Sequence, residues 1–265
     1  DIIIAKIAEV NPNIVTVVVS GGPCDLNVVE KKSNAIIQAW WNGLEGGHAL
    51  ADVLLGNISP SGKLPFTFPV KLEDSPAYAL NNFSKEVVSD GDVFAAQFRH
   101  DIVGETEYDD NITSPKAYYS EGMLVGYRWF YTKGVPVLYP FGHGLSYADF
   151  EYANIRSDKK EYAADDIIKS SFNLTNKSTM EADEVVQLYV RRMDAKVEWP
   201  DKELKAFERV TLGAGKIMTV TLEVPVAELR YWDETTNGWQ LENGTIEVMV
   251  GSSSANVPLK IKVGV

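Results

Sequence analysis

The chain has 265 residues, of which 45% are hydrophobic and 23% are charged, a composition typical of one large or two ordinary globular domains and not of a disordered chain. Its 37 acidic and 25 basic residues give a net charge of -12, which argues against a nucleic-acid partner. No apolar run approaches the roughly 20 residues of a membrane-spanning helix, and the single cysteine, Cys24, excludes a framework of intrachain disulfides.

The chain up to Gly56 alternates helical runs with apolar, β-branched runs. Continuous apolar runs of this length are typical of strands that are buried on both faces of a sheet. The predicted strands are residues 14–20 (IVTVVVS) and 35–41 (AIIQAWW), and the predicted helices are residues 2–10, 26–32 and 48–55. Strands that alternate with helices predict a parallel sheet.

The middle of the chain is less regular. Residues 63–70 (KLPFTFPV) carry prolines that confine them to a sheet edge or a surface strip. Residues 71–117 are rich in acidic and polar side chains, and a long irregular insertion is usually functional or disordered. The stretch PVLYPFGHGLSYADFEY (residues 136–152) then marks the change to a second kind of architecture.

From Phe150 onwards, turn residues separate short runs in which apolar residues recur at every second position, as at Val186, Leu188 and Val190. The runs are SFNLTN, EVVQLYVRR, LKAFERVTL, IMTVTLEV, TIEVMVG and PLKIKVGV. This spacing predicts two stacked antiparallel sheets, and about seven strands fit an immunoglobulin-like sandwich.

Several longer blocks follow one another along the chain. They are SGGPCDLN (20–27), AWWNGLEGGHALADVLLGNISPSGKLPFTFP (39–69), YSEGMLVGYRWFY (119–131), PVLYPFGHGLSY (136–147), WPDKELKAFERVTLGAGKIMTVTLEV (199–224) and YWDETTNGWQLENGTIEVMVG (231–251). The first four resemble the C-terminal half of glycoside hydrolase family 3, and most of all its β-glucosidases. The last two resemble the fibronectin type III-like domain that ends many of those enzymes, so the resemblance covers nearly the entire chain.

The resemblance implies an α/β three-layer sandwich with a mainly parallel sheet, followed by an all-β immunoglobulin-like (fibronectin type III-like) sandwich. We predict a partial α/β sandwich domain over residues 1–82. An irregular insertion and interdomain connection is predicted over residues 83–147, and the fibronectin type III-like domain over residues 148–265. The helix-like start without an initiating Met favours a chain that is part of something longer.

In this family, the resemblance implies, a (β/α)8 barrel precedes the α/β domain, and the active site lies between the two. A barrel aspartate is the nucleophile, and a glutamate ahead of the segment that matches residues 2–22 is the acid/base. Both therefore lie outside this chain. In the complete enzyme the two carboxyl groups of a retaining mechanism would stand roughly 5 Å apart.

We therefore expect the C-terminal portion of a retaining exo-β-glucosidase that hydrolyses terminal β-D-glucosyl residues of oligosaccharides, and a fragment that is inactive alone. A β-xylosidase of the same family is one alternative. A noncatalytic carbohydrate-binding module is another, although no long aromatic strip is visible in the last domain.

Three residues around the second predicted strand are candidates for substrate contact or for support of the site. Trp40 and Trp41 end that strand, at the edge where open α/β sheets present ligands. They either stack on a sugar or, as the favoured interpretation, pack against the barrel. Glu45 precedes a helix and either fixes the loop or supports the catalytic loop of the complete enzyme.

Further candidates are the aromatic residues Phe94, Phe98 and Tyr108 of the irregular insertion, which form either an outer sugar subsite or part of a plain surface loop. Other polar residues receive structural interpretations. Asp25 is predicted to cap a helix, and Arg128 is predicted to pair with a carboxylate and fix the connection between the domains.

No catalytic residue, metal ligand or cofactor is expected within this chain. The expected partners are the missing N-terminal (β/α)8 barrel segment of the same protein and a β-linked oligosaccharide, with no nucleic acid and no membrane span. A homodimer is left open. A periplasmic or secreted location is favoured over a cytoplasmic one.

Overall fold

The computed structural model describes residues 2–80 and 119–265. Its helices are α1 (Ile2–Val10), α2 (Asn27–Lys32), α3 (Gly46–Leu54), α4 (Pro76–Ala79) and α5 (Tyr127–Thr132). The strands of the first part are β1 (Val15–Val18), β2 (Ala35–Gln38), β3 (Phe68–Pro69) and β4 (Val137–Tyr139). Those of the second part are β5 (Phe150–Ser157), β6 (Ile167–Asn176), β7 (Ala182–Arg192), β8 (Glu203–Leu212), β9 (Ile217–Pro225), β10 (Tyr231–Asp233), β11 (Gly238–Gln240), β12 (Thr245–Gly251) and β13 (Leu259–Gly264).

The first part contains a parallel pair of strands, β1 and β2, with Val15 opposite Ala35. Strands β3 and β4 pair antiparallel, and so do all the named strands described beyond Phe150. The α/β content agrees with the prediction, but a mainly parallel sheet is not confirmed. The β-α-β order along the chain explains why β1 and β2 run in the same direction.

The prediction that β1 and β2 are buried on both faces is wrong for the described chain. Neither strand contains a fully buried residue, and Val15 is 50% exposed. Helices α1 and α3 also have no buried residue. Two strands with a few helices provide too little surface to cover both faces of the pair.

Several large apolar side chains of the first part consequently face solvent. We call these residues, which are between 73% and 100% exposed, the exposed apolar set: Ile2, Ile3, Val10, Trp41, Leu44 and Leu55. Single exposed apolar residues are ordinary, but an accumulation of them marks an interaction surface. None of the helices in the described ranges has the length and apolar character that crossing a bilayer requires.

The interior of the first part is divided between two small clusters. Leu26, Val29 and Phe68 form one of them beneath β1 and β2. The other consists of Leu124, Trp129 and Phe130, and Leu80 packs against it together with Val135 and Val137. The second cluster therefore joins the end of α4 to the residues around α5.

The second part is a sandwich of two antiparallel sheets, with strand orders β5-β6-β9 and β13-β12-β7-β8. Alternate residues along β6 and β9 are buried, as the period of two in the sequence predicted. Phe172, Leu174, Val186 and Leu188 are among the residues that are completely excluded from solvent between the sheets. The prediction of an immunoglobulin-like sandwich of about seven strands is confirmed, and the hairpin β10-β11 is an addition to it.

Two ion pairs join the parts, and the first is buried on both sides. Lys63 Nζ lies 2.8 Å from Glu184 Oε1, with only 11% and 6% of the two side chains exposed. Arg128 lies 3.1 Å from Glu203 on β8, and the hydroxyl of Tyr127 accepts a hydrogen bond from the backbone N–H of Leu204 at 2.7 Å. The prediction that an arginine–carboxylate pair fixes the connection is thereby confirmed.

The turn Gly142-His143-Gly144 sits at the same junction, and both of its glycines are required. Gly142 has φ of +78°, and a side chain there would collide with Gln187, whose amide donates to the Gly142 carbonyl at 3.1 Å. A Cβ on Gly144 would overlap the carbonyl oxygen of Gly62. Only glycine allows the two backbones to approach this closely.

Candidate functional site at the ends of strands β1 and β2

The carboxyl ends of β1 and β2 are held together by a side-chain clamp. Gln38, the last residue of β2, donates from Nε2 to the carbonyl of Ser20 at 2.9 Å and to its hydroxyl at 3.2 Å. Ser20 Oγ donates in turn to the carbonyl of Gly22 at 2.9 Å. Neither Ser20 nor Gln38 was singled out from the sequence, because isolated Ser and Gln residues carry no distinctive pattern.

Trp40 lies just beyond this clamp, where the predicted strand has already ended. Its backbone adopts φ of +59°, a left-handed conformation that is unfavourable for a bulky residue and persists only where the surroundings enforce it. The half-buried indole packs edge to face on Phe66, with ring centroids 5.3 Å apart. The strand is shorter than predicted because the chain turns sharply here.

Trp40 begins an aromatic row that crosses the first part of the molecule. The row consists of Trp40, Phe66, Phe68, Tyr139 and His143, with successive centroids between 5.2 and 6.0 Å apart. Each spacing is in the range of favourable ring pairs. The row connects the end of β2 to the glycine turn at the junction. In the sequence, the segment Phe66-Thr67-Phe68 is visible only as an alternation of aromatic and polar residues.

Trp41 points away from this row and is 76% exposed. Its indole lies over Gly21, where an added Cβ would overlap Nε1 of the ring. The structure thus brings Trp40 and Trp41 to the predicted edge but gives them different environments. Trp40 is a packing residue within the chain, whereas Trp41 is available for contact with another surface.

Glu45 comes directly before α3, as predicted, but its carboxylate does not cap the helix. Glu45 Oε2 instead lies 2.6 Å from Nδ1 of His48, and the two side chains are 76% and 85% exposed. This pair holds the start of α3 without closing a pocket. Its exposure makes it a surface pair whose contribution to stability is small.

Asp25 follows β1 and was predicted to cap the next helix, and it does so in part, through hydrogen bonds with the first residue of α2. Its Oδ1 accepts hydrogen bonds from the backbone N–H of Asn27 at 2.9 Å and from Asn27 Nδ2 at 2.8 Å. These bonds from Asn27, backbone first, hold the pKa of the exposed Asp25 carboxyl below its usual value. Asn27 also donates to the Val70 carbonyl at 2.7 Å and so joins α2 to the end of β3.

His143, at the far end of the aromatic row, stacks on Tyr139 with centroids 5.4 Å apart. Burial lowers the pKa of the imidazole below its usual value, and the Lys63 ammonium lowers it further. Protonation of His143 therefore opposes folding. His143 therefore acts as a packing residue at the end of the row.

A pH dependence follows from this environment. Since the unfolded chain binds the proton more readily, the free energy of unfolding is expected to fall as the pH drops through the ordinary histidine pKa near 6.5. A His143→Gln variant should show a shallower fall between about pH 7.5 and 5 in urea titrations. His48→Gln, at an exposed position, is the control. Equal slopes for His143→Gln and the parent would contradict the assignment.

The described site consists of aromatic and polar side chains at the ends of β1 and β2. We call this surface the wall; its residues are Ser20, Gln38, Trp40, Trp41 and Glu45. Glu45 contacts a histidine and not a second carboxylate. In residues 2–80 and 119–265, no group of three or more His, Cys, Asp or Glu side chains is arranged to hold a metal ion. Phe94, Phe98 and Tyr108 lie outside the described residues. The wall can position or cover a ligand.

Family models match both parts of the chain. The model described as the glycosyl hydrolase family 3 C-terminal domain matches residues 1–147, and the fibronectin type III-like domain model matches residues 184–254. The first match covers more than half of the chain. The two matched ranges correspond to the two parts of the structure, the α/β part and the antiparallel sandwich.

Similar proteins are longer than this chain. A thermostable β-glucosidase B from Acetivibrio thermocellus is 38% identical over 99% of the chain, which spans 31% of that relative. An exo-α-(1→6)-L-arabinopyranosidase from Bifidobacterium breve is 33% identical over 96% of the chain, which spans 30% of it. A crystal structure of a Bifidobacterium adolescentis β-glucosidase has a TM-score of 0.83 and 32% identity, covering 99% of this chain and 34% of that one.

Proposed function

Because the chain belongs to glycoside hydrolase family 3 and corresponds to the C-terminal part of its members, we propose that it is the C-terminal portion of a retaining exo-β-glucosidase. The intact enzyme is proposed to hydrolyse terminal β-D-glucosyl residues of oligosaccharides. The main support is the match of residues 1–147 to the glycosyl hydrolase family 3 C-terminal domain, together with the similarity to β-glucosidases over nearly the entire chain. The chain also spans only about 31% of a related β-glucosidase. The nucleophile and the acid/base are proposed to lie outside residues 1–265.

The partner of the wall is proposed to be a preceding (β/α)8 barrel segment of the same protein. The exposed apolar set supports this proposal, because six large apolar side chains in solvent are better explained by a covering surface than by chance. Trp41 and Leu44 of this set lie in the loop after β2. A homodimer would cover the same residues, and a monomeric mass of the full-length protein in sedimentation would exclude that alternative.

The same arrangement accounts for the incomplete sheet. We propose that β1 and β2 belong to a mainly parallel sheet of a three-layer sandwich whose other strands lie in the missing segment. The proposed domain limits remain residues 1–82 for the partial α/β domain, 83–147 for the insertion and connection, and 148–265 for the fibronectin type III-like domain.

The candidate site residues keep separate proposed roles. Trp41 is proposed to pack against the barrel beside the substrate, and Trp40 to hold the strand end on which Trp41 sits. Glu45 supports the loop between them and α3 through His48. The predicted outer subsite at Phe94, Phe98 and Tyr108 stays a prediction.

The substrate assay that tests this function compares sugars. The full-length protein is expected to hydrolyse an aryl β-D-glucoside with kcat/KM at least about tenfold above that for an aryl β-D-xyloside, because xylose lacks the hydroxymethyl group that a glucose site contacts. An aryl α-L-arabinopyranoside is the third substrate, since one relative is an arabinopyranosidase. Proton NMR of the first product should show β-glucose, as retention requires. A preference for either pentoside, or release of α-glucose, would contradict the proposal.

A further inference from the structure

The hairpin β10-β11 presents two tryptophans to solvent. Trp232 and Trp239 face each other directly across the two strands, with ring centroids 5.6 Å apart and planes at 80°. Trp232 is 48% exposed and Trp239 is 64% exposed. Neither belongs to the core of the sandwich, whose buried residues lie between the two large sheets.

The base of this hairpin is firmly anchored. The buried guanidinium of Arg192 donates to the carbonyl of Leu229 at 2.8 Å and to that of Glu242 at 2.7 Å, and these residues lie just before β10 and just after β11. Arg192 also stacks over Trp199, whose ring contacts Tyr231 edge to face. One buried arginine therefore fixes both legs of the hairpin.

The tip of the hairpin is ordered by its own side chains. Asp233 accepts hydrogen bonds from the backbone N–H and the hydroxyl of Thr235 and from the hydroxyl of Thr236. Gln240 donates to the Thr236 hydroxyl at 3.0 Å. The tryptophans thus project from a rigid element, which reduces the entropy lost when a ligand binds.

Stability alone gives no reason for this arrangement. An exposed indole pair contributes a modest ring contact but leaves a large apolar surface in water. The charges at the tip are acidic, with Asp233 and the exposed Glu234 beside it, whereas the exposed Arg230 lies at the base just before β10, within a chain of net charge -12. Such a surface disfavours phosphorylated or other anionic ligands and suits a neutral ligand with flat apolar faces and many hydroxyls.

We propose that Trp232 and Trp239 form a binding surface for a neutral β-linked glucan chain. The indole rings would stack on the apolar faces of pyranose rings, and the carboxylate of Glu234 would accept hydrogen bonds from sugar hydroxyls. The choice of a glucan rests on the proposed function. In the intact protein, this surface would hold polymeric substrate close to the enzyme.

The test uses the full-length protein with the variants Trp232→Ala, Trp239→Ala and the double variant. Phe207→Ala is the matched control, because Phe207 is an aromatic residue of the same domain that is 68% exposed. Binding is measured by depletion onto insoluble cellulose and by affinity electrophoresis in soluble β-glucan. The double variant is expected to bind about tenfold more weakly than the parent, with Phe207→Ala unchanged. Hydrolysis of an aryl β-glucoside and the melting temperature should be the same in all four.

Other outcomes overturn the proposal. Unchanged glucan binding by the double variant excludes the surface as a glucan site. Protection of Trp232 and Trp239 from acrylamide quenching before glucan is added would show that other parts of the protein cover them. A change of sedimenting mass in the double variant would assign the surface to a second copy. If the unmodified full-length protein did not hydrolyse an aryl β-glucoside, the proposed function would be refuted instead. Glucan binding is measured in a separate assay, so the two failures can be told apart.

Discussion

Replacing Lys63 with Met is expected to lower the free energy of unfolding of the full-length protein by about 3–5 kcal/mol, because it leaves the Glu184 carboxylate buried without its partner. The pair spans the junction, so the loss should appear as a lower midpoint in urea titrations followed by circular dichroism. The ammonium also donates to the Gly144 carbonyl at 3.1 Å, and that bond disappears too.

Two controls distinguish the cost of leaving a carboxylate buried without a partner from the cost of losing an ion pair on the surface. The double variant Lys63→Met, Glu184→Met is expected to regain most of the loss, since paired apolar side chains can replace a buried ion pair at little cost. Lys169→Met removes a pair of the same 2.8 Å length whose side chains are both 48% exposed, and it should cost less than about 1 kcal/mol. Equal losses at Lys63 and Lys169 would show that the junction pair is not protected from water.

Residues 1–265 produced alone are expected to show no detectable turnover of an aryl β-glucoside, whereas the full-length protein is expected to hydrolyse it. Retaining hydrolysis needs a nucleophile and an acid/base that the proposal places outside this chain, so the loss should be at least about a millionfold. The assay is run on material whose folded sandwich has been verified by circular dichroism. Turnover that is abolished by Glu45→Gln would contradict the proposal.

Addition of the separately produced preceding segment is expected to restore part of the activity. Leu44, which is 100% exposed, belongs to the surface that the segment would cover. Leu44→Asp should weaken the restoration, because docking would bury an unpaired carboxylate. Phe207→Asp, on the exposed side of β8, should leave it unchanged. Equal restoration with both variants would argue that the exposed apolar set is not the docking surface.

The sequence predicted the elements whose signals are local. The period of two in the second part predicted six of the seven strands of the sandwich, all except β5, because alternate burial of side chains follows directly from strand geometry. Helices α1 and α2 and the parallel pair of strands were also expected at nearly their observed positions. In each case the pattern extends over only a few consecutive residues.

Features that depend on distant residues were not predictable in this way. The left-handed Trp40 shortens β2 because Phe66 packs against its ring from another segment. The Gln38 clamp and the Lys63–Glu184 pair join residues 18 and 121 positions apart, respectively. An arginine–carboxylate pair was expected from Arg128, but its partner, Glu203, could not be named from sequence. Burial on both faces of β1 failed because it assumed neighbours that the described chain does not contain.

The cluster of Leu124, Trp129 and Phe130 holds two distant points of the chain together. Leu80 packs on it from one side of residues 81–118 and Leu124 belongs to it on the other, so the two points of attachment of that segment are held by one small core. A substitution that disrupts this one core, such as Trp129→Ala, would therefore loosen the chain at residue 80 and at residue 124 together, although 44 positions separate them.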